Sequence, residues 1–255
     1  MKVCNTILGL LLVAILAISP SPIFAQSATK KEKKKKRHKT EKTQATTTAE
    51  AQLTQGTIKY MVTDVKMSDS NPQAAMVVNM MKGSTNVLHF KPEQSHTDMN
   101  MMGGMTRVQM FMQHDSDAST MYLDAPVQGI KYKIAMTKEN KDAAGKATPV
   151  YEYTADKSKT KEIAGYACYL VKGRDEDDNT IELYVTDKIK ANNNNPQFKG
   201  LQGFPMEFVA KQGPMEMTLT AQSVSGELPE GAFTQPTEGY ENKTFDDLKK
   251  MRGGF

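Results

Sequence analysis

Seven residues, Met99-Asn-Met-Met-Gly-Gly-Met105, carry four thioethers in one short stretch, and Met110 and Met112 follow closely. Thioether sulfur is a soft ligand that suits Cu(I), and methionines spaced one to three apart are what such a site would use. His89, His96 and His114 could add imidazole. The same methionines continue into alternating segments as inward positions, however, and Met is the adaptable filler of apolar surfaces. Core or groove lining therefore takes precedence. Met99, Met101, Met102 and Met105 remain the subordinate metal candidate, and no cofactor is expected.

Other reactive residue types are arranged less suggestively. Asp175-Glu-Asp-Asp-Asn179 offers oxygens for Ca²⁺. It lacks the glycine at the sixth place and the bidentate glutamate at the twelfth, where Thr180 and Thr186 stand, so a solvated hairpin tip is the better reading. His114-Asp-Ser-Asp117 has the residue types of a triad, but neighbours in one turn do not face each other as a triad must. No Gly-x-Ser-x-Gly, His-Glu-x-x-His or phosphate loop occurs. Asn242-Lys-Thr244 is a glycosylation sequon only in a eukaryotic secretory route. These observations point away from an enzyme.

The elements that would position these residues read mainly as strands. Met215, Met217, Leu219 and Ala221 alternate with polar neighbours; so do Ile130, Tyr132, Ile134 and Met136, then Ile181, Leu183 and Val185, then Val108, Met110 and Met112. A period of two with one polar face marks a half-buried antiparallel strand. Weaker candidates are 57–65, 85–90, 119–123, 150–153, 165–171 and 206–210. Short links such as Arg174–Asn179 and Lys211–Pro214 favour an antiparallel meander over βαβ units. One segment differs. Asn71 can cap a helix, Pro72 suits its first position and Gly83 can close it. Met76, Val77, Met80 and Met81 form a stripe at helical spacing between them. A second short helix is expected over 245–251, with Thr244 and Asp247 as a capping box.

The expected fold is one strongly curved antiparallel sheet, an open half-barrel with one or two short helices. Its trough would be lined by Met76, Met80, Val108, Met110, Met112, Ile130, Tyr132, Ile134, Leu183, Met215, Met217 and Leu219.

Ahead of this body the chain changes character. Residues 1–25 have Lys2, an apolar run from Ile7 to Ile18, Pro20 and Pro22, and a small residue at Ala25. That is the layout of a secretory signal peptide, and the apolar run is short for a membrane span. From Lys30 to Lys42 nine Lys/Arg accompany two Glu, a local net of +7. Without these and Lys2, 23 basic side chains oppose 27 acidic ones, so a basic arm precedes a body of net charge −4. Residues 26–52 thus read as a disordered basic arm and linker, and 53–255 as one domain. Lys33, Lys34, Lys35, Lys36 and Arg37 are its densest stretch, suited to an anionic envelope surface. The export signal makes nucleic acid the least expected partner. Once Cys4 is cut away with the signal, Cys168 is the only cysteine and no internal disulfide can form.

Ile163-Ala-Gly-Tyr-Ala-Cys-Tyr169 followed by Glu182-Leu-Tyr-Val-Thr-Asp187 resembles the Ile-x-Gly-Tyr-x-Cys … Trp/Tyr-x-Thr pattern of the GLPGLI family. It also resembles a sister family of exported proteins of Gram-negative bacteria. Gly200-Leu-Gln-Gly-Phe-Pro-Met-Glu-Phe208 is similar to the Gly-Leu-Pro-Gly stretch, with Gln202 for Pro and Phe204 for Leu, which favours the sister family. Phe233-Thr-Gln-Pro-Thr-Glu-Gly-Tyr240 is similar to the C-terminal Phe-x-x-Pro-x-Gly-Tyr. The resemblance spans about residues 55–240 and implies a fold similar to the LolA-type lipoprotein carriers, an open barrel around an apolar cavity, but no established activity. Phe233 is expected to plug one end of the sheet, with Pro236 and Gly239 turning the chain away.

Two functions follow as expectations. The first is an exported, periplasmic or envelope protein, non-enzymatic, holding an apolar ligand such as a lipid acyl chain in a Met-lined trough. The second is a structural or interaction protein of the envelope with a filled core, its basic arm on anionic surfaces. Cu(I) binding by the methionine run is a third.

Overall fold

The computed structural model describes residues 52–68, 72–116, 118–137, 140, 149–192, 196–212 and 215–248. The expected signal peptide, the basic arm with Lys33, Lys34, Lys35, Lys36 and Arg37, and the cap Asn71 lie outside them.

Twelve strands form one sheet. They are β1 (Gly56–Met67), β2 (Thr85–Lys91), β3 (Gln94–Met101), β4 (Thr106–Gln113), β5 (Ser119–Ala125), β6 (Ile130–Met136), β7 (Glu152–Ile163), β8 (Tyr166–Arg174), β9 (Thr180–Thr186), β10 (Phe204–Gln212), β11 (Met215–Ser225) and β12 (Glu241–Lys243). Their order is β12-β6-β5-β4-β3-β2-β1-β11-β10-β9-β8-β7. Two antiparallel meanders, β1 to β6 and β7 to β11, are thus joined by the pairing of β1 with β11. The sheet does not close into a barrel.

The alternating segments became strands because one side of each is apolar and needs a common interior. Val108 lies between Met99 and Leu123, Met110 between Thr97 and Met121, and Ile134 beside Met121. Met217 lies between Val65 and Ala210, and Leu219 between Val62 and Phe208. Their side chains form one continuous core.

Helix α1 (Pro72–Met81) packs on β1 and on the 3-10 turn Met102–Gly104. It ends as expected at Gly83, whose φ of 78° is a left-handed conformation that glycine adopts without penalty. Its buried stripe is turned by about one residue from expectation. Val77, Val78, Met80 and Met81 face the core, and Met76 is 58% exposed.

Two strands, β3 and the short β12, are new relative to the sequence reading, which reaches β7 only at 152–153. β3 has polar Ser95 and Thr97 on its inner side, so apolar alternation never starts until Met99. β7 is exposed along nearly its whole length and, among the described residues, pairs only with β8. Its lysines 157, 159 and 161 protect an open edge from pairing with another chain. β7 and β8 are joined by Ala164 and Gly165, both at positive φ, which makes a tight hairpin of the type whose twist suits the flanking strands. This is the Ile-Ala-Gly-Tyr portion of the motif.

After β11 the chain crosses the convex side of the first meander. Thr57 donates to Glu227 O at 3.1 Å, Ala232 O lies 2.6 Å from His96 Nδ1, and Tyr122 donates to Gln235 at 2.9 Å. Tyr240 then packs edge-on against Tyr122, and β12 runs parallel beside β6. Beyond this strap a helical turn, 245–248, returns to the interior, where Phe245 and Leu248 join the core. Thr244 and Asp247 form the expected capping box, each side chain accepting from the other's backbone N–H at 2.8 and 3.1 Å. Phe233 does not plug an end of the sheet. It lies half-buried in the strap with Lys91 Nζ 5.1 Å from its ring centre, because the tail runs across the strands rather than over their ends.

Candidate functional site

The concave interior holds nearly all the expected lining residues. Val108, Met110, Met112, Ile130, Ile134, Leu183, Met215, Met217 and Leu219 are 0–7% exposed. Tyr132 and Met80 are half-buried at its border, and Met76 points away on the outer side of α1. Aromatic side chains add bulk. Phe208 meets Tyr60 and Phe198 edge-on at 5.8 and 5.1 Å between ring centres, and Phe90 stacks on Phe204 at 6.4 Å. Tyr60 donates its hydroxyl to Pro205 O at 2.8 Å, and burial pushes its pKa upward. Among the described residues, two buried oxygens of the interior, Asn86 Oδ1 and Ser119 Oγ, have no hydrogen-bond partner.

The methionine run is divided by the sheet. Met99 and Met101 point inward from β3, Met102 is buried in the turn against α1, and Met105 is 37% exposed beyond it. His89 and His96 occupy the convex side, because even-numbered positions of β3 face away from odd-numbered ones. The sheet therefore separates these imidazoles from Met99 and Met101. Among the described residues, no group of three or more His, Cys, Asp or Glu is placed to hold a metal ion.

The convex side carries an arrangement the sequence reading missed. His89 and His96 are direct cross-strand partners, their ring centres 5.4 Å apart. The His96 ring stacks on Phe111 at 4.0 Å between centres. A carbonyl only accepts, so His96 Nδ1 carries the proton given to Ala232 O, and its Nε2 is left to accept from the Gln109 amide at 3.4 Å. His89 Nδ1 lies 2.9 Å from the Thr57 hydroxyl, which also reaches Glu227 of the strap. The pairing was legible in principle. A two-residue turn at Pro92 and Glu93 sets Lys91 opposite Gln94, and so 89 opposite 96.

Burial holds both imidazoles below their ordinary pKa. Well above pH 6.5 His89 and His96 are neutral in folded and unfolded chains alike. As pH falls through about 6.5 the unfolded chain takes up protons that the folded chain refuses, so stability is lost with acidity. The unfolding free energy is expected to fall steadily between neutral and mildly acid pH, by at most about 1.4 kcal/mol per pH unit for each of the two histidines, with denaturation midpoints falling accordingly. In His96→Gln the slope is expected to flatten; an unchanged slope would remove the strap contact as its cause.

The remaining reactive groups serve structure. Burial pushes the Cys168 thiol up to about 11, which keeps it protonated and inert. Asp175 Oδ1 accepts from the backbone of Asp177 and Asn179 at 3.0 and 2.8 Å, closing the β8–β9 hairpin. His114 contacts Pro92 O, Ser95 and Asn192.

No protein-family model matches this chain, and no curated protein does; the GLPGLI resemblance rests on its quoted motifs alone. Several solved structures are similar. MucB shares 10% identity at a TM-score of 0.37, over 74% of this chain and 60% of that one. The Pseudomonas aeruginosa MucA/MucB complex gives 8% and 0.38, over 71% and 56%. A DUF1329 family protein from Desulfovibrio piger gives 8% and 0.32, over 72% and 90%. The chain thus spans less than two thirds of MucB, and the likeness is one of general course.

Proposed function

We propose that this chain is an exported, non-enzymatic protein of the cell envelope that acts by contact: a half-barrel filled by its own side chains, held near anionic surfaces by its basic arm. The burial of the nine inward residues, 0–7% exposed with only this chain around them, carries this reading over a lipid carrier. A trough that admits an acyl chain leaves its lining open to solvent when empty. Here the turn 245–248 returns Phe245 and Leu248 to the interior, and α1 lies across one end. The groups capable of chemistry are engaged in packing: a raised thiol at Cys168, and two neutral histidines under the strap.

The arm is tested by deleting Lys30–Lys42 and fractionating the host envelope. The deleted protein is expected in the soluble fraction, with an unchanged melting temperature. Retention equal to that of the intact chain would show that the arm does not tether it.

A further inference from the structure

Three of the four exposed large apolar side chains among the described residues, all but Val150 at the β7 edge, lie along the rim between α1 and the β5–β6 turn. Met76 lies on α1, Met105 on the turn between β3 and β4, and Val127 on the turn between β5 and β6, and they are 58, 37 and 77% exposed. The register puts all three at one rim, where β1 ends and where Met101 meets Thr106 and Ala125 meets Ile130. Helix α1 adds a second peculiarity. Its ten residues, Pro-Gln-Ala-Ala-Met-Val-Val-Asn-Met-Met, contain no charge, although Ala75, Met76 and Asn79 are exposed. Surface helices normally turn a charged face to water.

We propose that this rim, α1 with the 102–105 turn, rests on an anionic lipid bilayer, Met76 and Met105 entering the boundary between headgroups and acyl chains. The proposal rests on the reading that the basic arm meets an anionic surface, and adds the second contact. Interfacial binding strengthens with buried apolar area and with electrostatic attraction to anionic lipids together. The chain has both. The arm contributes a net +7. It joins the domain at the far end of β1, yet residues 30–52 can reach about 80 Å, twice the length of about 40 Å expected of a twelve-residue strand. The acidic hairpin 175–178 lies at the rim end, like α1, but joins β8 to β9, beyond β11 and β10 from β1. The approach to an anionic surface is therefore tilted toward α1. A flexible, polarizable methionine suits an irregular apolar boundary. Among the described residues no helix is long and apolar enough to cross a membrane, so the contact is one of surface depth.

The chain has nine tyrosines and no tryptophan, so Met76→Trp supplies the sole tryptophan in residues 26–255, excited selectively at the red edge beyond tyrosine. Gln222→Trp, at an exposed position on β11, is its control. Each is mixed with phosphatidylcholine vesicles with and without phosphatidylglycerol. Met76→Trp is expected to shift to the blue only with phosphatidylglycerol and to be quenched by brominated acyl chains, while Gln222→Trp does neither. Met76→Glu is expected to lower vesicle partitioning by about tenfold with an unchanged melting temperature. Co-sedimentation of the intact chain without any shift, and without effect of Met76→Glu, would overturn the proposal and leave the arm as the only contact. Failure of the intact chain to sediment with either vesicle would overturn the arm reading as well. A shift seen only with another envelope protein present would assign the rim to that protein and refute the lipid contact.

Discussion

A Met217→Glu chain is expected to show no cooperative unfolding transition. Met217 is 2% exposed in the middle of β11, between Val65 of β1 and Ala210 of β10, at the seam that joins the two meanders. Removing the thioether side chain costs about 2–5 kcal/mol where the site cannot collapse. Placing an unpaired carboxylate there adds several kcal/mol more, or forces it to take up a proton. Together these approach the about 5–15 kcal/mol that holds a typical domain together. Far-ultraviolet circular dichroism against temperature reads the result. A Met217→Glu protein that melts cooperatively near the parent temperature would mean that the position faces solvent or a ligand, and the filled interior would be refuted.

Phe245→Ala is expected to cost about 3–5 kcal/mol, as large aromatic truncations in cores do. The value decides a question of architecture, because residues 245–248 come after the strap has already left the sheet's convex side. In an open carrier this turn would be a peripheral tail and its truncation nearly neutral. Phe245 and Leu248, 5 and 2% exposed, instead belong to the same cluster as Ile134 and Met217. Denaturant unfolding of Phe245→Ala beside a Lys243→Ala control separates loss of packing from loss of the β12 edge. A change under about 1 kcal/mol would place the turn outside the cooperative unit.

The strands that sequence made legible are those with one wet and one dry side. β6, β9 and β11 alternate because their outward residues meet water, and the helix announced itself by Pro72 and Gly83. β4 was legible for its inner methionines, but its outer Gln109 and Phe111 are buried too, since the strap covers them. The strap has no periodicity, as it crosses strands one after another and touches each with one residue. That is why Phe233 was misplaced; the His89–His96 pair went unrecognised because β3, with polar Ser95 and Thr97 on its inner side, gave no strand signal to pair with β2. β7 was legible only at 152–153 for the opposite reason: beyond them nearly all its side chains are solvated and no apolar pattern survives. The stripe on α1 was read one residue early because Met76 is as apolar as its neighbours, and only packing shows which methionine is left outside.

For the interior the residues were readable and their use was not. Inward positions of a filled sheet and of a ligand trough have the same composition, and Met suits both. The proposed distinction rests on what the chain itself adds to that side, and Phe245 and Leu248 join the same core cluster.

The most direct test is a native mass spectrum of the mature protein purified from its host's envelope under conditions that preserve lipid complexes. The filled half-barrel predicts the bare polypeptide mass, unchanged after extraction with organic solvent. A discrete added mass, released by that solvent and identified as lipid, would contradict it and make the concave side a carrier's binding site.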